Sequence, residues 1–140
     1  MTKSISRRSF PGLALGGAIA GYFGGGLLIA TAGTAAAQPF DQTAFDTARA
    51  AGAPILIDVS ASWCSTCKAQ RAVVTRLVSE PKYAGYTIFV IDYDSQKDLM
   101  RKFGARQRST LIVYKGEAEA GRIVGDTRAE AIEALLAKGV

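Results

Sequence analysis

The chain has 140 residues, a formal net charge of +5, two cysteines and no histidine. This length suits one modest domain, and two cysteines without histidine exclude a four-ligand zinc site built within a single chain. Three of the 17 basic residues but none of the 12 acidic residues precede position 38, so the rest of the chain carries a charge of +2. We therefore expect no binding to nucleic acid.

The first 37 residues have the pattern of a secretory leader. A positively charged start containing Arg7 and Arg8 is followed by a long uncharged stretch, and the small residues Ala35–Ala37 form an A-x-A-like cleavage site. We predict a cleaved signal peptide over residues 1–37 and a single domain over residues 38–140.

The paired arginines of the leader also predict the route of export. The run Ser6-Arg7-Arg8-Ser9-Phe10 resembles the twin-arginine export signature, and the many glycines of the stretch that follows make a stable membrane span less favourable. This predicts a bacterial periplasmic protein. The alternative is an uncleaved anchor that holds the domain on the periplasmic face of the membrane, since the uncharged stretch is long enough to cross a bilayer.

From residue 38 onward the pattern alternates between helices and strands. Helices show apolar residues three to four positions apart, whereas strands are short runs rich in β-branched residues. The predicted helices span residues 41–51, 64–79, 94–103 and 127–138, and the predicted strands span 55–59, 86–92, 111–114 and 120–124. The last two strands are expected to be antiparallel across a short turn, and a further short strand is an option near residues 39–40.

Side chains that can accept hydrogen bonds from the first N–H groups of a helix precede three of these helices. The predicted caps are Asp41 or Thr43 for the first helix, residues 94–95 for the third, and Thr127, in a capping box with Glu130, for the last.

The two cysteines, Cys64 and Cys67, stand between an apolar strand and the helix that follows it. The free N–H groups and the dipole of a helix N-terminus favour an anion, so Cys64 should have a lowered pKa and act as the nucleophile. Cys67 is close enough to form a disulfide with it and so to resolve a mixed disulfide. A bridge closing so short a loop adds little stability, which favours a redox role. Lys68 either favours the thiolate or is an ordinary surface lysine.

One acid, Asp58, lies within the apolar strand that leads to the cysteines. A buried carboxylate is costly unless it is paired or protonated. We expect Asp58 to accept a proton from Cys67 when a mixed disulfide is resolved. The alternative is an aspartate at the end of the strand that faces solvent.

The segment from Asp58 to Lys68 resembles the active site of the thioredoxin superfamily, in which a strand ending in aspartate leads to W-C-x-x-C-K at the start of a helix. The resemblance extends over about residues 40–138. It implies an α/β thioredoxin-like fold, with a central mixed sheet flanked by helices on both faces. It also implies a buried acid at Asp58, whose usual lysine partner falls at Val90, so we expect the carboxylate to be poorly compensated.

The resemblance further implies a substrate groove formed by Trp63, Arg108, Ser109, Thr110 and Gly125. Relatives have a cis proline where this chain has Ser109. A cis bond before serine costs about 3–4 kcal/mol, so we expect a trans or rearranged loop. The hydroxyl of Ser109 is expected to line the groove and to change partner choice or the lifetime of mixed disulfides. The alternative is a substitution without effect.

The resulting functional prediction is an exported thiol–disulfide oxidoreductase that acts on protein disulfides as a monomer without a dissociable cofactor. Because Ser65 and Thr66 separate the cysteines and no histidine does, we favour a reductase, and such an enzyme needs an electron donor, for which we expect a membrane thiol carrier. A first alternative is a non-enzymatic metallochaperone or scaffold that holds a soft metal through its thiols, within one chain or shared between two. A second is an anchored domain serving one dedicated partner.

Overall fold

The computed structural model describes residues 35–140, and a five-stranded mixed β-sheet runs through the middle of them. The strands are β1 (Ala37–Pro39), β2 (Pro54–Ser60), β3 (Thr87–Asp92), β4 (Thr110–Lys115) and β5 (Ala118–Val124). The helices are α1 (Gln42–Ala50), α2 (Ser65–Val78), α3 (Lys97–Lys102) and α4 (Ala129–Leu136), with a short 3-10 turn at Pro81–Tyr83. Within the described part of the chain, no helix combines the length and apolar character that crossing a membrane requires.

The strand order across the sheet is β1-β3-β2-β4-β5. Both β1 and β2 pair with β3 in parallel, whereas β4 runs antiparallel to β2 and β5 antiparallel to β4. The antiparallel pairing of the last two strands agrees with the prediction, and so does a short strand ahead of the first helix. The predicted leader, residues 1–37, lies outside the described residues except for its end, where Ala37 pairs with Ile88 in β1.

Strand β2 is apolar almost throughout because both of its faces are covered. Leu56 belongs to a core with α2 and α4 on one side, whereas Ile55 and Ile57 belong to an aromatic core with α1 and α3 on the other. This division follows the alternation of side chains along a strand. Helices therefore cover both faces of the mixed sheet, as predicted.

The ends of the helices were predicted with mixed success. Asp41 caps α1 as expected, accepting a hydrogen bond from the Ala44 N–H at 2.7 Å. The prediction of Thr127 as the cap of α4 is wrong: the cap residue is Arg128, and no side chain accepts a hydrogen bond from the first turn. The carboxylate of Asp126 instead accepts from the Arg128 N–H and guanidinium, which replaces the capping box with a local turn.

The predicted cap at residues 94–95 is also wrong. Helix α3 starts later, with Gln96 as its cap residue and no side-chain cap bond. The carboxylate of Asp92 accepts from the N–H groups of Asp94 and Ser95, so it organises a turn before the helix.

The strand directions bring the ends of four strands to one edge of the sheet. Ser60, at the end of β2, pairs with Asp92 at the end of β3. Val59 pairs with Thr110 at the start of β4, and Thr110 pairs with Val124 at the end of β5. Since α2 also begins after β2, the connections that follow or precede these strands meet around the N-terminus of α2.

Candidate active site

Cys64 and Cys67 form a disulfide at the N-terminus of α2, with their Cα atoms 5.3 Å apart. Cys64 is the cap residue of the helix, and its Sγ accepts a hydrogen bond from the Cys67 N–H at 3.1 Å. A sulfur that already accepts from the first turn is in a position to carry negative charge. The strand-to-helix placement predicted from the sequence therefore matches the structure.

Ser109 lies directly against this disulfide. Its Oγ is 3.2 Å from the Sγ of Cys64 and 3.2 Å from the Sγ of Cys67. Among residues 35–140 no peptide bond is cis, so the bond before Ser109 is trans, as expected. The rearrangement lies in the backbone of Ser109 itself, whose φ of 57° is in the left-handed region that serine adopts rarely.

Three contacts hold the backbone of Ser109 in this conformation. Its N–H donates to the Val59 carbonyl at 2.8 Å, and its carbonyl accepts from the Gly125 N–H at 2.8 Å and from the Gln70 side chain at 3.2 Å. The Gln70 amide also donates to the Asp126 carbonyl at 2.9 Å. One buried side chain of α2 thus ties the loop before β4 to the loop after β5.

Sequence reasoning missed Gln70, although its position gave a signal. It lies three residues after Cys67, so helical spacing places both on the same face of α2. A polar residue on the face that carries a buried cysteine requires hydrogen-bond partners, because burial without them is costly.

Asp58 is buried on β2, with 5% of its surface exposed, which excludes the solvent-facing alternative. Its Oδ2 is 3.2 Å from the Nη2 of Arg71, a residue of α2 that also donates to the Ser60 hydroxyl at 2.8 Å. The Oδ1 atom is buried without a hydrogen-bond partner in the described structure. Burial raises the pKa of Asp58 above its ordinary value, against the opposing pull of the Arg71 guanidinium.

The expectation that Asp58 lacks a cationic partner is therefore corrected. Val90 does lie opposite Asp58 in the register of β2 and β3, as the resemblance implied. The compensating charge comes instead from Arg71, one helical turn after Cys67. The sequence gives the spacing of Arg71 from Cys67 but not its contact with β2, because that contact depends on how α2 packs on the sheet.

Trp63 lies beside the disulfide with 58% of its surface exposed. Its indole N–H donates to the Asp94 carboxylate at 2.9 Å. Its ring packs edge-on against Tyr93, with 6.3 Å between the two ring centroids. The Arg108 guanidinium stacks over the indole at 4.8 Å from the ring centroid. Predicted groove residues 63 and 108 are thus held together, and Asp94 and Tyr93 join them without having been predicted.

A groove of about 390 Å³ opens next to Ser109. It is lined by Thr66, Tyr93, Gln107, Arg108, Ser109, Val124 and Gly125. The φ of Gly125 is 70°, and a Cβ added there would meet no atom within 4 Å, so the groove is open on that side.

One predicted groove residue is placed differently. Thr110 is buried and its hydroxyl donates to the Gln107 carbonyl at 2.7 Å, so it holds the loop before β4 and does not line the groove. Lys68 is exposed on α2, and its backbone N–H donates to the Cys64 carbonyl at 3.1 Å.

Within residues 35–140, no three Cys, His, Asp or Glu side chains are grouped to hold a metal ion, so the soft-metal alternative depends on the two thiols alone.

The chain is similar in sequence to thioredoxins over most of its length. The family model for thioredoxin matches residues 36–138. Thioredoxin-2 of Saccharomyces cerevisiae is 31% identical over 97 residues, which cover 69% of this chain and 90% of the yeast protein. An H-type thioredoxin of Fagopyrum esculentum is 31% identical over 93 residues, which cover 65% of this chain and 77% of the plant protein.

Solved structures give the same result for the fold. The crystal structure of Trxlp from Edwardsiella tarda EIB202 superposes with a TM-score of 0.68 at 37% identity, covering 71% of this chain and 98% of that one. The Malassezia sympodialis thioredoxin, at 20% identity and a TM-score of 0.63, shares the fold over 74% of this chain and 92% of its own. The predicted thioredoxin-like α/β fold is confirmed. The chain belongs to the thioredoxin family, and Cys64 and Cys67 are its C-x-x-C disulfide oxidoreductase pair.

Proposed function

We propose that this protein is an exported oxidoreductase that reduces disulfides in other proteins. The observation that carries the proposal is the position of the Cys64–Cys67 disulfide, at a helix N-terminus and beside Ser109, a wall residue of an open groove. The groove is open at Gly125 and is not an enclosed cavity of the kind that binds small molecules. Its open shape therefore suits an extended peptide better than a small molecule.

The proposed reaction transfers two electrons in two exchanges. The Cys64 thiolate attacks one sulfur of a substrate disulfide, and the other substrate sulfur leaves as a thiolate that takes up a proton. Cys67, once deprotonated, attacks the Sγ of Cys64 and releases the second substrate sulfur as a thiolate. The substrate disulfide is then reduced to two thiols, and the Cys64–Cys67 pair is oxidised to the disulfide seen in the structure.

Asp58 is proposed to accept the proton from Cys67 before the second exchange. A carboxyl whose pKa is raised by burial is closer in proton affinity to a thiol than an exposed carboxyl is, and this matching favours proton transfer. Arg71 is proposed to position Asp58 and to keep its carboxylate form accessible. Trp63, Arg108 and Gly125 are proposed to contact the bound peptide, and Lys68 to favour the thiolate.

Arg71→Ala is expected to shift the pH dependence of the second exchange. In a plot of its rate against pH, the acid limb, where the rate falls with falling pH, should move to higher pH. The guanidinium opposes the effect of burial on the Asp58 pKa, so its loss leaves a carboxyl that deprotonates at higher pH. On the falling limb the rate drops several-fold, whereas at high pH the variant and the wild type converge. Stopped-flow mixing with a chromogenic disulfide measures this, since the first thiol released reports attack by Cys64 and the second reports resolution by Cys67.

Two further variants test whether the charge is the cause. Arg71→Lys keeps a cation on α2 and should shift the limb less. Val90→Lys, added to Arg71→Ala, brings an ammonium from the strand position opposite Asp58 and should move the limb back. A limb that stays in place in Arg71→Ala contradicts the assigned role.

Export is proposed from the leader pattern, with periplasmic release after cleavage at Ala37. Cleavage there leaves Gln38 and Pro39 of β1, whose partners are Phe89 and Val90. The proposed electron donor is a membrane thiol carrier, and the proposed working form is a monomer. The intact mass of the protein recovered from the periplasm checks this proposal, because a chain that starts at Gln38 supports it and an uncut chain in the membrane fraction favours the anchor.

The reduction potential of the Cys64–Cys67 pair tests the direction of the reaction. A value near about −270 mV, measured against glutathione, together with reduction of a protein disulfide such as that of insulin, supports a reductase. A value near about −120 mV identifies an oxidant that introduces disulfides and contradicts the proposal.

A further inference from the structure

The hydroxyl of Ser109 lies within hydrogen-bond distance of both sulfurs of the redox pair. Its distances to the Sγ atoms of Cys64 and Cys67 are equal, 3.2 Å each, and all three residues are buried. Sulfur accepts hydrogen bonds weakly in a disulfide but strongly as a thiolate, since charged acceptors form stronger hydrogen bonds. The hydroxyl is therefore in place before the charge that it can stabilise develops.

The backbone around Ser109 does not depend on this hydroxyl. Its N–H and carbonyl are already bonded to Val59, Gly125 and Gln70. A φ of 57° costs serine free energy that glycine would not lose. The hydrogen-bond contacts of the hydroxyl within the described residues are the two sulfurs. Among these contacts, the hydroxyl bonds the redox sulfurs, whereas the backbone N–H and carbonyl hold the loop.

We propose that Ser109 is a catalytic hydrogen-bond donor that stabilises first the Cys64 thiolate and then the Cys67 thiolate. This inference rests on the proposed exchange reaction and adds a residue to it. In the reduced enzyme the hydroxyl donates to the Cys64 thiolate, which then attacks and forms a bond to a substrate sulfur. With Cys64 in the mixed disulfide, the same hydroxyl rotates to donate to Cys67 as that thiol loses its proton to the base.

A single hydroxyl can serve both sulfurs because it carries one donor and two acceptor positions. While it donates to the thiolate of Cys64, it can accept from the thiol of Cys67, which links the two groups through one oxygen. The exchange itself is unchanged in its atoms and electrons: Ser109 forms no covalent bond and ends each cycle with its own proton.

The experiment titrates the Cys64 thiol in a Cys67→Ala background, so that one cysteine alone gives the thiolate absorbance. Ser109→Ala and Ser109→Gly both remove the hydroxyl, but they differ in backbone cost, because glycine relieves the positive φ and alanine does not. Ser62→Ala is the matched control, since Ser62 carries an exposed hydroxyl two residues before Cys64 and outside the C-x-x-C motif. Asp58, Lys68 and the remaining charged groups around the pair are the same in every variant.

The pKa of Cys64 is expected to rise by about one unit in both Ser109 variants, which is a tenfold loss of thiolate below the pKa. Alkylation by iodoacetamide at such a pH should slow about threefold, because the more basic thiolate that remains is also more nucleophilic. Ser62→Ala should change neither value. Raised pKa values in both Ser109 variants and not in the control support the hydrogen bond.

An unchanged pKa in both variants overturns the inference. A pKa that rises in Ser109→Ala alone or in Ser109→Gly alone also overturns it, because the cause is then the backbone and not the loss of the hydroxyl. These measurements use no protein substrate, so they stand apart from the proposed function. A wild-type protein that fails to reduce protein disulfides contradicts that function, whereas an unshifted thiol pKa in an active reductase removes only the role of Ser109.

Discussion

Cys64→Ser is expected to reduce the turnover of protein disulfides to the level of the reducing agent alone, whereas Cys67→Ser stops after one exchange. The first change removes the sulfur at the helix N-terminus, where the Cys67 N–H and the helix dipole favour a thiolate. The second keeps this nucleophile but removes the sulfur that resolves the mixed disulfide. The two variants therefore fail in different ways, although neither completes a cycle.

The difference is measured by mixing each variant with a protein disulfide and resolving the products on a non-reducing gel. Cys67→Ser should accumulate a covalent complex that disappears on reduction, and Cys64→Ser should not. Ser62→Ala, at an exposed position before the C-x-x-C motif, is the control that should turn over normally. A covalent complex formed by Cys64→Ser instead would reverse the assignment of the two roles.

The complex trapped by Cys67→Ser also identifies the substrates. Partners captured in this way from a cell extract are held through Cys64, next to Trp63, Arg108 and the open groove. Their sequences beside the captured cysteine would show which peptide chemistry the groove accepts.

Local pattern predicted most of the fold. The run from Ile55 to Val59 reads as a buried strand because it is apolar and rich in β-branched residues, and the cysteines follow it at the start of a helix. The position of the nucleophile at a helix N-terminus needed no tertiary information. The arrangement of the sheet followed once the motif and the order of elements agreed with one family.

The contacts that tune the site could not be predicted in the same way. Arg71 pairs with an acid 13 residues earlier, and Gln70 donates to a carbonyl 56 residues later, so both contacts depend on the packing of α2. Helical spacing indicates only that both residues share the face of Cys67. The left-handed backbone of Ser109 is likewise set by distant partners, among them the Val59 carbonyl and the Gly125 N–H.

A local turn explains the wrong cap of α4. Thr127 and Glu130 match a capping box, but the Asp126 carboxylate accepts from the Arg128 N–H and guanidinium, and the helix begins one residue later, with Arg128 as its cap residue. A motif defined by residue type does not include the neighbouring side chain that forms this turn.

Asp58→Asn is expected to slow resolution by about a hundredfold and, at the same time, to stabilise the fold at higher pH. The amide cannot take the proton of Cys67, and loss of a general base costs about 10²-fold at the low end of its usual range. Attack by Cys64 on the first disulfide should change little, so the two phases of thiol release in stopped flow should separate widely.

The effect on stability has the opposite sign to the effect on rate. Burial raises the pKa of Asp58 in the folded protein above its unfolded value. Its contribution to stability is therefore complete below the unfolded pKa and is lost as pH rises through the folded pKa. Asparagine stays neutral, so the gain in unfolding free energy over the wild type should grow with pH across that window and then level off.

Denaturant unfolding of both proteins over a range of pH measures this gain. Asp98→Asn, an exposed acid on α3, is the control and should show no such rise. If the curves of Asp58→Asn and the wild type stay parallel, Asp58 ionises in the folded protein as it does in the unfolded chain. If resolution also keeps its rate, the base lies elsewhere. A carboxylate that costs stability and yet speeds the second exchange would give a chemical reason for its burial between β2 and α2.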